Sequence, residues 1–382
     1  MSDRQRRILF IVNSLCVGGA ERHVVTLLNH LDTRRFRLSL ACLKQEAALL
    51  PQLRQERLAS ITWCNIGRGF EWHAVRKLAR LIRAEQIDTL LCTNQYSMAY
   101  GYVARCLARR RVRLIEVLHT TLVTTPKEQL QMRLYRPIFR RTDLLIYVSE
   151  NQRRYWRSQG LTARADCVIH NGIDTDYYSP RPAEDCRQLR AQLGFGPDDY
   201  LVGICAVLRP EKHHLDLLEA VHRLRSRGLR ACLLIIGDGP ERARIEARIA
   251  ALDLHEQVRI SGFQADVRPY IGACDVMALV SQSIETFSLA ALESLALGKP
   301  IVMSNVGGAS EQVVPGVNGL LFEPGDIAAL TDCLQRLAEP RPGAQVAQAA
   351  RDTVLGQFTL AHMLGQFSAC LAAEPAGGAA PG

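Results

Sequence analysis

The sequence lacks any long apolar run. No stretch reaches the roughly 18 to 20 apolar residues that a membrane-spanning helix needs, and the apolar segment 8–12, which follows Arg4, Arg6 and Arg7, is too short for a signal peptide. We therefore expect a cytoplasmic protein. No low-complexity tract precedes the Ala, Gly and Pro-rich segment 374–382, so we expect a globular body with a disordered tail at 374–382.

Metal and disulfide signatures are missing as well. The twelve cysteines are scattered, with no CxxC pair and no Cys/His cluster at zinc spacing. A thiol in an apolar segment, such as Cys92, Cys205 or Cys232, acts as a small hydrophobic group. The acidic pair Asp198 and Asp199 has no third ligand nearby, so no DxD-like metal site is present. We expect neither a metal ion nor another cofactor.

Acidic residues are scarce in the first half of the chain. Residues 1–180 contain 29 Lys and Arg against 15 Asp and Glu, whereas residues 181–382 contain 18 against 23. The excess could face anionic lipid or a phosphate-bearing ligand, and solvated helix faces are an equal alternative. Nucleic acid is disfavoured because no recognition motif accompanies the charge. The basic clusters are 109–113, then Arg133, Arg136, Arg140 and Arg141, then Arg153, Arg154 and Arg157.

Short aliphatic runs alternate with longer amphipathic stretches, which predicts α/β structure with parallel sheets. The alternation restarts after about residue 180, and 382 residues exceed one ordinary core, so we expect two doubly wound, Rossmann-like domains. The predicted strands of the first domain are 8–12, 38–43, 89–92, 114–118 and 144–148. Those of the second are 201–207, 231–236, 258–260, 276–280, 301–303 and 320–322.

The domain boundary is predicted in the turn-rich segment 170–186, where Asn171-Gly172 and prolines punctuate the chain. We expect domains at 1–178 and 179–350, and a C-terminal helix at 351–373 that crosses back to the first domain and helps to couple closure. A surface helix on the second domain is the alternative. Because open parallel sheets bind ligands at the carboxyl ends of their strands, the two domains are expected to face a shared cleft.

The first strand is followed by Gly18 and Gly19, which precede a predicted helix. Glycines there allow backbone N–H groups to approach a phosphate at a helix N-terminus. A plain tight turn is an equal alternative, because the spacings of the dinucleotide-binding and P-loop motifs are absent.

The second half contains a more specific pattern, two glutamates eight residues apart. Glu285 is predicted on a loop after a strand, and Glu293 lies inside a helix that begins near Phe287. The N–H groups of Ser288 and Leu289 could hold a diphosphate, and Glu293 could accept hydrogen bonds from a ribose diol. The alternative is a capping glutamate followed by a buried one.

Two cations follow the first predicted strand of the second domain. Arg209 and Lys212 should therefore lie at its carboxyl end, where they could neutralise a leaving diphosphate. Solvated surface cations are the alternative.

Taken together, these motifs resemble family 4 of the retaining glycosyltransferases, which have the GT-B fold. The match extends over nearly the whole chain in order and spacing. The matching segments are GGAE at 18–21, VIHNGID at 168–174, LRPEK at 208–212, GDGPER at 237–242, SGF at 261–263, the E-x7-E element at 285–293, GKPIV at 298–302 and GVNGLLFEPGD at 316–326.

The resemblance implies a role for each matching residue. Gly18 and Gly19 would line the donor phosphate and acceptor side of the cleft, while Arg209 and Lys212 would bind the diphosphate. In the second half, Glu285 would bind hydroxyls of the donor sugar, Phe287, Ser288 and Leu289 would form the phosphate-facing turn, and Glu293 would bind the ribose. His119 matches the histidine of the family beside the donor sugar, although a lone histidine after a strand is more often a packing residue.

Two segments add detail to this assignment. Many family members have the arginine five residues before the lysine, a position that Val207 occupies here, whereas Arg209 lies three residues before Lys212. Gly237 and Asp238 are expected in a strand-to-helix turn beside the nucleotide base, and a purely structural turn is the equal alternative.

The resemblance implies retaining transfer of a sugar from a nucleotide-sugar donor, with UDP as the expected nucleotide, to an unidentified saccharide or lipid-linked acceptor. Such an enzyme would serve polysaccharide or glycolipid biosynthesis, without a metal, with peripheral contact to an anionic membrane as one reading of the basic first domain. The alternatives are a sugar-nucleotide 2-epimerase of the same architecture and a non-catalytic nucleotide-sugar-binding subunit.

Overall fold

The computed structural model of the chain describes residues 5–67, 69–120, 126–283, 285–339 and 343–373. The chain divides into two compact units, one formed by residues 1–170 with 363–382 and the other by residues 171–362. This boundary lies eight residues before the one predicted from the sequence, which follows residue 178. The predicted tail at 374–382 lies outside the described residues.

The first unit contains a sheet of seven parallel strands in the order β3-β2-β1-β4-β5-β6-β7. Its helices pack on an apolar core that includes Leu9, Leu78 and Tyr100, all fully buried. The strands are β1 (Arg6–Val12), β2 (Phe36–Cys42), β3 (Leu58–Trp63), β4 (Thr89–Thr93), β5 (Arg113–Leu118), β6 (Leu144–Tyr147) and β7 (Asp166–Val168). The helices are α1 (Gly19–His30), α2 (Trp72–Ala84), α3 (Gln95–Ala108), α4 (Pro126–Phe139) and α5 (Glu150–Ser158), with short 3-10 turns at Leu50–Gln52 and Gln55–Arg57.

The second unit contains a sheet of six parallel strands in the order β10-β9-β8-β11-β12-β13. The strands are β8 (Tyr200–Cys205), β9 (Ala231–Ile236), β10 (Val258–Gly262), β11 (Val276–Leu279), β12 (Ile301–Ser304) and β13 (Gly319–Phe322). The helices are α6 (Ala183–Gln192), α7 (His214–Ser226), α8 (Arg242–Ala251), α9 (Arg268–Ala273), α10 (Leu289–Ala296), α11 (Ala309–Gln312), α12 (Ile327–Ala338) and α13 (Ala344–Gln357), with a 3-10 turn at Pro210–Lys212.

The predicted class of two doubly wound parallel sheets is confirmed. All six strands predicted for the second domain are present, and five of seven were predicted for the first. The two missed strands, β3 and β7, are the edges of their sheet. An edge strand needs less apolar sequence than a central one, and neither strand contains a fully buried residue.

The last helix, α14 (Leu360–Ala372), belongs to the first unit from Met363 onward. Its buried residues are Met363, Phe367 and Leu371, four apart, so one apolar stripe faces the core. Within the described residues, no helix combines the length and the apolar character needed to cross a bilayer.

The strand orders determine where ligands can bind. Each sheet reverses its direction of winding once, between β1 and β4 in the first unit and between β8 and β11 in the second. In open parallel sheets, ligands bind beyond the carboxyl ends of the strands at such a reversal. Ligand sites are therefore expected in the loops after these four strands.

Candidate active site

The loops after β8 and β11 bring together an oppositely charged pair. Lys212 ends the 3-10 turn that follows β8, and Glu285 lies in the loop after β11. The Lys212 Nζ donates to Glu285 Oε2 over 2.6 Å, and both side chains are largely buried. Ser281 Oγ donates to the same carboxylate oxygen over 3.3 Å. The structure thus places two sequence-predicted residues in contact at the reversal point of this sheet.

Arg209 lies at the other end of the same 3-10 turn and is far more exposed. Its Nη1 is 4.0 Å from Glu211 Oε1, and about half of its side chain is accessible. The backbone of the turn is closed by a hydrogen bond from the Lys212 N–H to the Arg209 carbonyl. The turn therefore presents one fixed cation and one that can still change position.

The turn after β9 contacts the loop that carries Arg209 and Lys212, called here the cationic loop, and fixes its position. Gly237 has a positive φ of 146°, and a Cβ there would collide with the Ala206 carbonyl oxygen. The Leu208 N–H donates to the Asp238 carbonyl, and the Glu241 N–H donates to the Leu208 carbonyl. Asp238 uses its carboxylate locally, on the Gly239 N–H and on Arg242. Gly237 and Asp238 therefore position the loop that carries Arg209, and contact with a base stays a prediction.

The helix start after Glu285 differs from the sequence expectation. Helix α10 begins at Leu289 instead of near Phe287, and Ser288 is its N-cap, with its hydroxyl accepting from the Ala291 N–H. The Ser288 N–H, expected to face a phosphate, donates instead to Gln312 Oε1 over 3.0 Å. Gln312 also donates from Nε2 to the Ser288 carbonyl. Both the N–H and the carbonyl of Ser288 are therefore hydrogen-bonded to Gln312 instead of facing a ligand.

The Leu289 amide, which was predicted to face a phosphate together with Ser288, is followed by that of Ala290 in the first turn of α10. The N–H groups of Leu289 and Ala290 have no hydrogen-bond acceptor among the residues that the structure describes, as expected for the first turn of a helix. Both residues are only partly buried. They carry the partial positive charge of the helix N-terminus, directly after the loop that contains Glu285.

Phe287 packs inside the second unit. Its ring contacts the Phe358 ring, with centroids 5.3 Å apart, and its carbonyl accepts from Asn171 Nδ2 over 3.0 Å. The HNGID segment therefore has a structural role, because Asn171 anchors the backbone of Phe287. This role of Asn171 was not predicted from the sequence, because the contact with Phe287 spans 116 residues of sequence.

Glu293 is 2% exposed, and its Oε1 accepts from the Tyr178 hydroxyl over 3.0 Å. Arg351 holds the segment that carries this tyrosine by donating to the Tyr178 and Thr175 carbonyls. In the structure, the Glu293 carboxylate is thus hydrogen-bonded to the Tyr178 hydroxyl. Contact with a ribose stays a prediction.

The backbone that carries Glu285 is itself fixed by a close approach. Gly307, in the loop after β12, has a φ of 60°, and a Cβ there would collide with the Glu285 carbonyl oxygen. The next residue, Gly308, donates its N–H to the Thr286 carbonyl. Neither glycine was singled out from the sequence, and only their adjacency at 307–308 could have drawn attention.

In the first unit, Gly18 and Gly19 stand at the start of α1, as predicted. Gly18 is the N-cap, and a Cβ there would collide with Glu21 Oε2, whereas a Cβ on Gly19 would meet open space. The carboxylate of Glu21 therefore folds back over the positive end of this helix. Gly18 is required for that contact.

His119 follows β5, and its ring packs at 5.0 Å from the ring of His23, a residue of α1. His23 is 3% exposed and also contacts Phe367 of α14, at 5.3 Å. Burial lowers the pKa of His119 to about 4. Burial, and secondarily the neighbouring His119, holds the pKa of His23 well below its usual value. Both imidazoles are neutral near pH 7.

The comparisons with known proteins identify two family models that together span most of the chain. The model of the family described as Glycosyltransferase Family 4 matches residues 17–177, and that of Glycosyl transferases group 1 matches residues 185–352. An N-acetyl-alpha-D-glucosaminyl L-malate synthase of Bacillus anthracis is 26% identical over 296 residues, which are 76% of this chain and 76% of that protein. A GDP-mannose-dependent alpha-(1-6)-phosphatidylinositol monomannoside mannosyltransferase of Mycolicibacterium smegmatis is 28% identical over 297 residues, 74% of this chain and 75% of that protein.

A solved structure is similar over almost the entire chain. Anabaena Alr3699/HepE in complex with UDP superposes with a TM-score of 0.85 and 26% identity, covering 96% of this chain and 99% of that chain. The same protein in complex with UDP-glucose gives a TM-score of 0.82 and 25% identity over the same shares.

The lowered pKa values of His23 and His119 predict acid sensitivity of the first unit. An unfolded histidine binds its proton near pH 6.5, whereas folded His119 does so only near pH 4, so the unfolded state holds more protons between these values. The free energy of unfolding should therefore fall as the pH drops from 6.5 to 4, by about 1.4 kcal/mol per pH unit for each such histidine. Denaturant unfolding at a series of pH values measures this slope.

The variant His119→Gln should reduce that slope by about 1.4 kcal/mol per pH unit, which is the contribution of one proton. The exposed histidine of α14 supplies the matched control, since His362→Gln should leave the slope unchanged. An equal slope in the wild type and in His119→Gln would contradict the lowered pKa of the His119 imidazole.

Proposed function

Because the chain belongs to the family 4 glycosyltransferases, also described as glycosyl transferases group 1, we propose that it is a retaining, metal-independent enzyme that moves a sugar from a UDP-sugar to an acceptor hydroxyl. Its two parallel sheets have the architecture of the GT-B class. The observation that carries the proposal is the Lys212 and Glu285 pair at the reversal point of the second sheet.

The proposed reaction depends on stabilising the leaving diphosphate. As the bond from the anomeric carbon to the phosphate oxygen breaks, negative charge accumulates on that oxygen. Lys212 supplies a preorganised positive charge. Arg209 supplies a second positive charge, because its exposed side chain can move toward the diphosphate. The Leu289 and Ala290 amides contribute the positive end of a helix dipole. Preorganised charge of this kind costs no rearrangement during the reaction.

Glu285 has two parts in this proposal. Without a donor, its carboxylate holds the Lys212 ammonium in place. When a diphosphate takes over the ammonium, the carboxylate becomes available to accept hydrogen bonds from hydroxyls of the donor sugar. Ser281 remains bonded to it and limits its motion.

Retention follows in this scheme from a front-face substitution. The acceptor oxygen bonds to the anomeric carbon from the side that the phosphate leaves, and the hydroxyl proton passes to the departing phosphate oxygen. His119 is assigned beside the donor sugar as a neutral imidazole that can hydrogen-bond without adding charge. Gly18 and Gly19 are assigned to the same side. No metal is needed, because Lys212, Arg209 and the helix start supply the positive charge.

The proposed donor nucleotide and acceptor class rest on relatives. HepE was solved with UDP and with UDP-glucose, while the mycobacterial relative is named for GDP-mannose. We favour UDP because the structural similarity to HepE extends over nearly the entire chain. A saccharide or lipid-linked acceptor in polysaccharide or glycolipid biosynthesis fits the names of the related enzymes.

The variants Lys212→Ala and Glu285→Ala test the assigned site. Each should lower the transfer rate at least about 100-fold, the cost of removing one group that stabilises transition-state charge. Lys212→Ala should also weaken UDP binding, measured as a smaller thermal shift with UDP. Transfer is followed by release of UDP and by product analysis with an acceptor panel.

Exposed residues provide the matched controls, Lys77→Ala on α2 and Glu246→Ala on α8, which should keep wild-type rates. Unchanged melting temperatures in the ligand-free variants separate loss of activity from loss of fold. Wild-type turnover in both site variants would eliminate the assigned site, and turnover of the nucleotide sugar without any acceptor would favour the epimerase.

The stereochemistry and the metal independence have a joint test. The coupling constant of the anomeric proton, measured by NMR, should show the same configuration in the product as in the donor. The rate should be unchanged when EDTA is added. An inverted product would contradict the front-face mechanism, and complete loss of activity with EDTA, restored by a divalent cation, would contradict the metal-free assignment.

We also propose that α4 forms a peripheral membrane contact. Two leucines one turn apart, Leu130 and Leu134, are 59% and 69% exposed. Arg133 is exposed on the same helix, and Arg140 is exposed directly after its end. By contrast, Arg153 and Arg157 of α5 are paired with Asp166. Apolar side chains beside exposed cations suit an anionic bilayer surface, and a nucleotide-sugar enzyme would act there at the cytoplasmic face.

Vesicle sedimentation tests this surface. The wild type should bind phosphatidylglycerol vesicles more strongly than phosphatidylcholine vesicles, and binding should weaken with salt. The double variant Leu130→Ser, Leu134→Ser should reduce the bound fraction several-fold, whereas Leu355→Ser, at an exposed leucine of α13, should not. If the double variant bound the vesicles as strongly as Leu355→Ser, the membrane contact would lie elsewhere on the protein.

A further inference from the structure

A cavity of about 320 Å³ lies in the second unit, away from the candidate active site. It is enclosed by α6, α9, α13 and the segment 297–299, which joins α10 to β12. This segment precedes its strand, whereas the loops that carry Lys212 and Glu285 follow theirs. Because the strands of this sheet are parallel, the segment and the ion pair lie at opposite edges of the sheet.

Three cations line this cavity. Lys299 ends the segment after α10, Arg181 lies just before α6, and Arg351 belongs to α13. None of the described residues that line the cavity is an aspartate or a glutamate. Arg181 has an acidic partner outside the lining, since its Nη2 is 3.3 Å from Asp185 Oδ2. Within the described part of the chain, Lys299 and Arg351 form no ion pair, so their charges are not offset.

The Arg351 guanidinium is held in place and still has donors to spare. Its Nη1 donates to the Ala296 carbonyl over 2.6 Å and to the Tyr178 carbonyl over 3.0 Å. Its Nη2 donates to the Thr175 carbonyl over 3.1 Å. An arginine has five N–H donors, and the other two have no acceptor among the residues that the structure describes. A ligand would meet a cation that is already oriented, which reduces the entropy lost on binding.

Lys299 supplies a cation without a partner of its own. Its ammonium makes no hydrogen bond or ion pair with any described residue, although the side chain is partly buried. Its backbone is fixed, because the Lys299 N–H donates to the Ser294 carbonyl and Gly298 has a φ of 72°. A partly buried ammonium that lacks a counter-charge is stabilised by a bound anion.

The rest of the lining is largely apolar. The positive end of the α13 dipole also lies at the cavity, because Ala344 is the first residue of that helix. Apolar walls suit the organic part of a ligand, and the cations suit its charged group. The apolar lining residues are Pro180, Leu297, Ala344 and Ala347.

We propose that this cavity binds a small organic phosphate monoester. With the charge of Arg181 offset by Asp185, Lys299 and Arg351 supply two positive charges, which match the roughly −2 charge of such a phosphate near pH 7. The volume of about 320 Å³ is at the lower end of the usual range for ligand pockets, which is about 300 to 1,000 Å³. A compact metabolite is therefore favoured over a nucleotide sugar, and this site is separate from the one assigned to the donor.

Isothermal titration calorimetry with the full chain and phenyl phosphate tests this site. UDP is present throughout, to keep the probe from the diphosphate site assigned to Lys212. Phenyl phosphate should bind saturably at millimolar concentrations or below, and its affinity should fall as salt is added. Phenol, which has the same ring without the charge, should not bind. Absence of phenyl phosphate binding in the wild type would overturn the proposal.

Variants of two lysines locate the bound probe. Lys299→Gln should weaken phenyl phosphate binding at least about 10-fold, because hydrogen bonds between charged groups are the strong ones. The matched control Lys77→Gln, at an exposed lysine of α2, should bind like the wild type, and so should Lys212→Ala. Loss of binding in Lys212→Ala together with normal binding in Lys299→Gln would assign the probe to the diphosphate site and contradict the proposal.

Cys186 reports on the same cavity in the wild type. This cysteine of α6 lines the cavity and is partly exposed. Phenyl phosphate should slow its alkylation by iodoacetamide several-fold, as measured by mass spectrometry of a digest, while alkylation of Cys106, an exposed cysteine of α3, should proceed at an unchanged rate. Equal alkylation of Cys186 with and without the bound probe would place the probe elsewhere. This measurement decides the question even if Lys299→Gln fails to fold.

Discussion

A single ion pair, between the Lys212 ammonium and the Glu285 carboxylate, relates the fold of the second unit to its chemistry. Parallel strands bring their carboxyl ends to one edge of the sheet, and the order β9-β8-β11-β12 separates the flanking helices at that edge. A cation after β8 and an anion after β11 are thereby held against each other. The attraction holds both loops in a fixed arrangement.

The precision of this pair depends on backbone contacts that admit no side chain. Gly237 lies against the Ala206 carbonyl under the cationic loop, and Gly307 lies against the Glu285 carbonyl under the acidic one. Gln312 adds two hydrogen bonds to the Ser288 backbone. Groups fixed on a rigid scaffold retain their geometry when charge develops, which is the condition for electrostatic catalysis.

Much of this architecture could be predicted from the sequence, because a parallel sheet leaves a strong signal. Its central strands are continuous apolar runs, and the loops that follow them are known once the strands are. Lys212 and Glu285 were therefore assigned to one edge. The partners of Ser288 and Glu293 could not be predicted, since Gln312 and Tyr178 are 24 and 115 residues distant and belong to no local pattern. The same holds for the packing of His23 on His119.

The return of the chain to its first unit has a consequence for biosynthesis. The second unit is an uninterrupted insertion at 171–362, and the helix that supplies Phe367 to the first unit comes after it. A ribosome therefore finishes the second unit before it delivers the last piece of the first. Until then, the surface of the first unit that Met363, Phe367 and Leu371 cover, including one side of the His23 ring, lacks these contacts. Nascent chains should thus need shielding at this surface for longer than at any surface of the second unit.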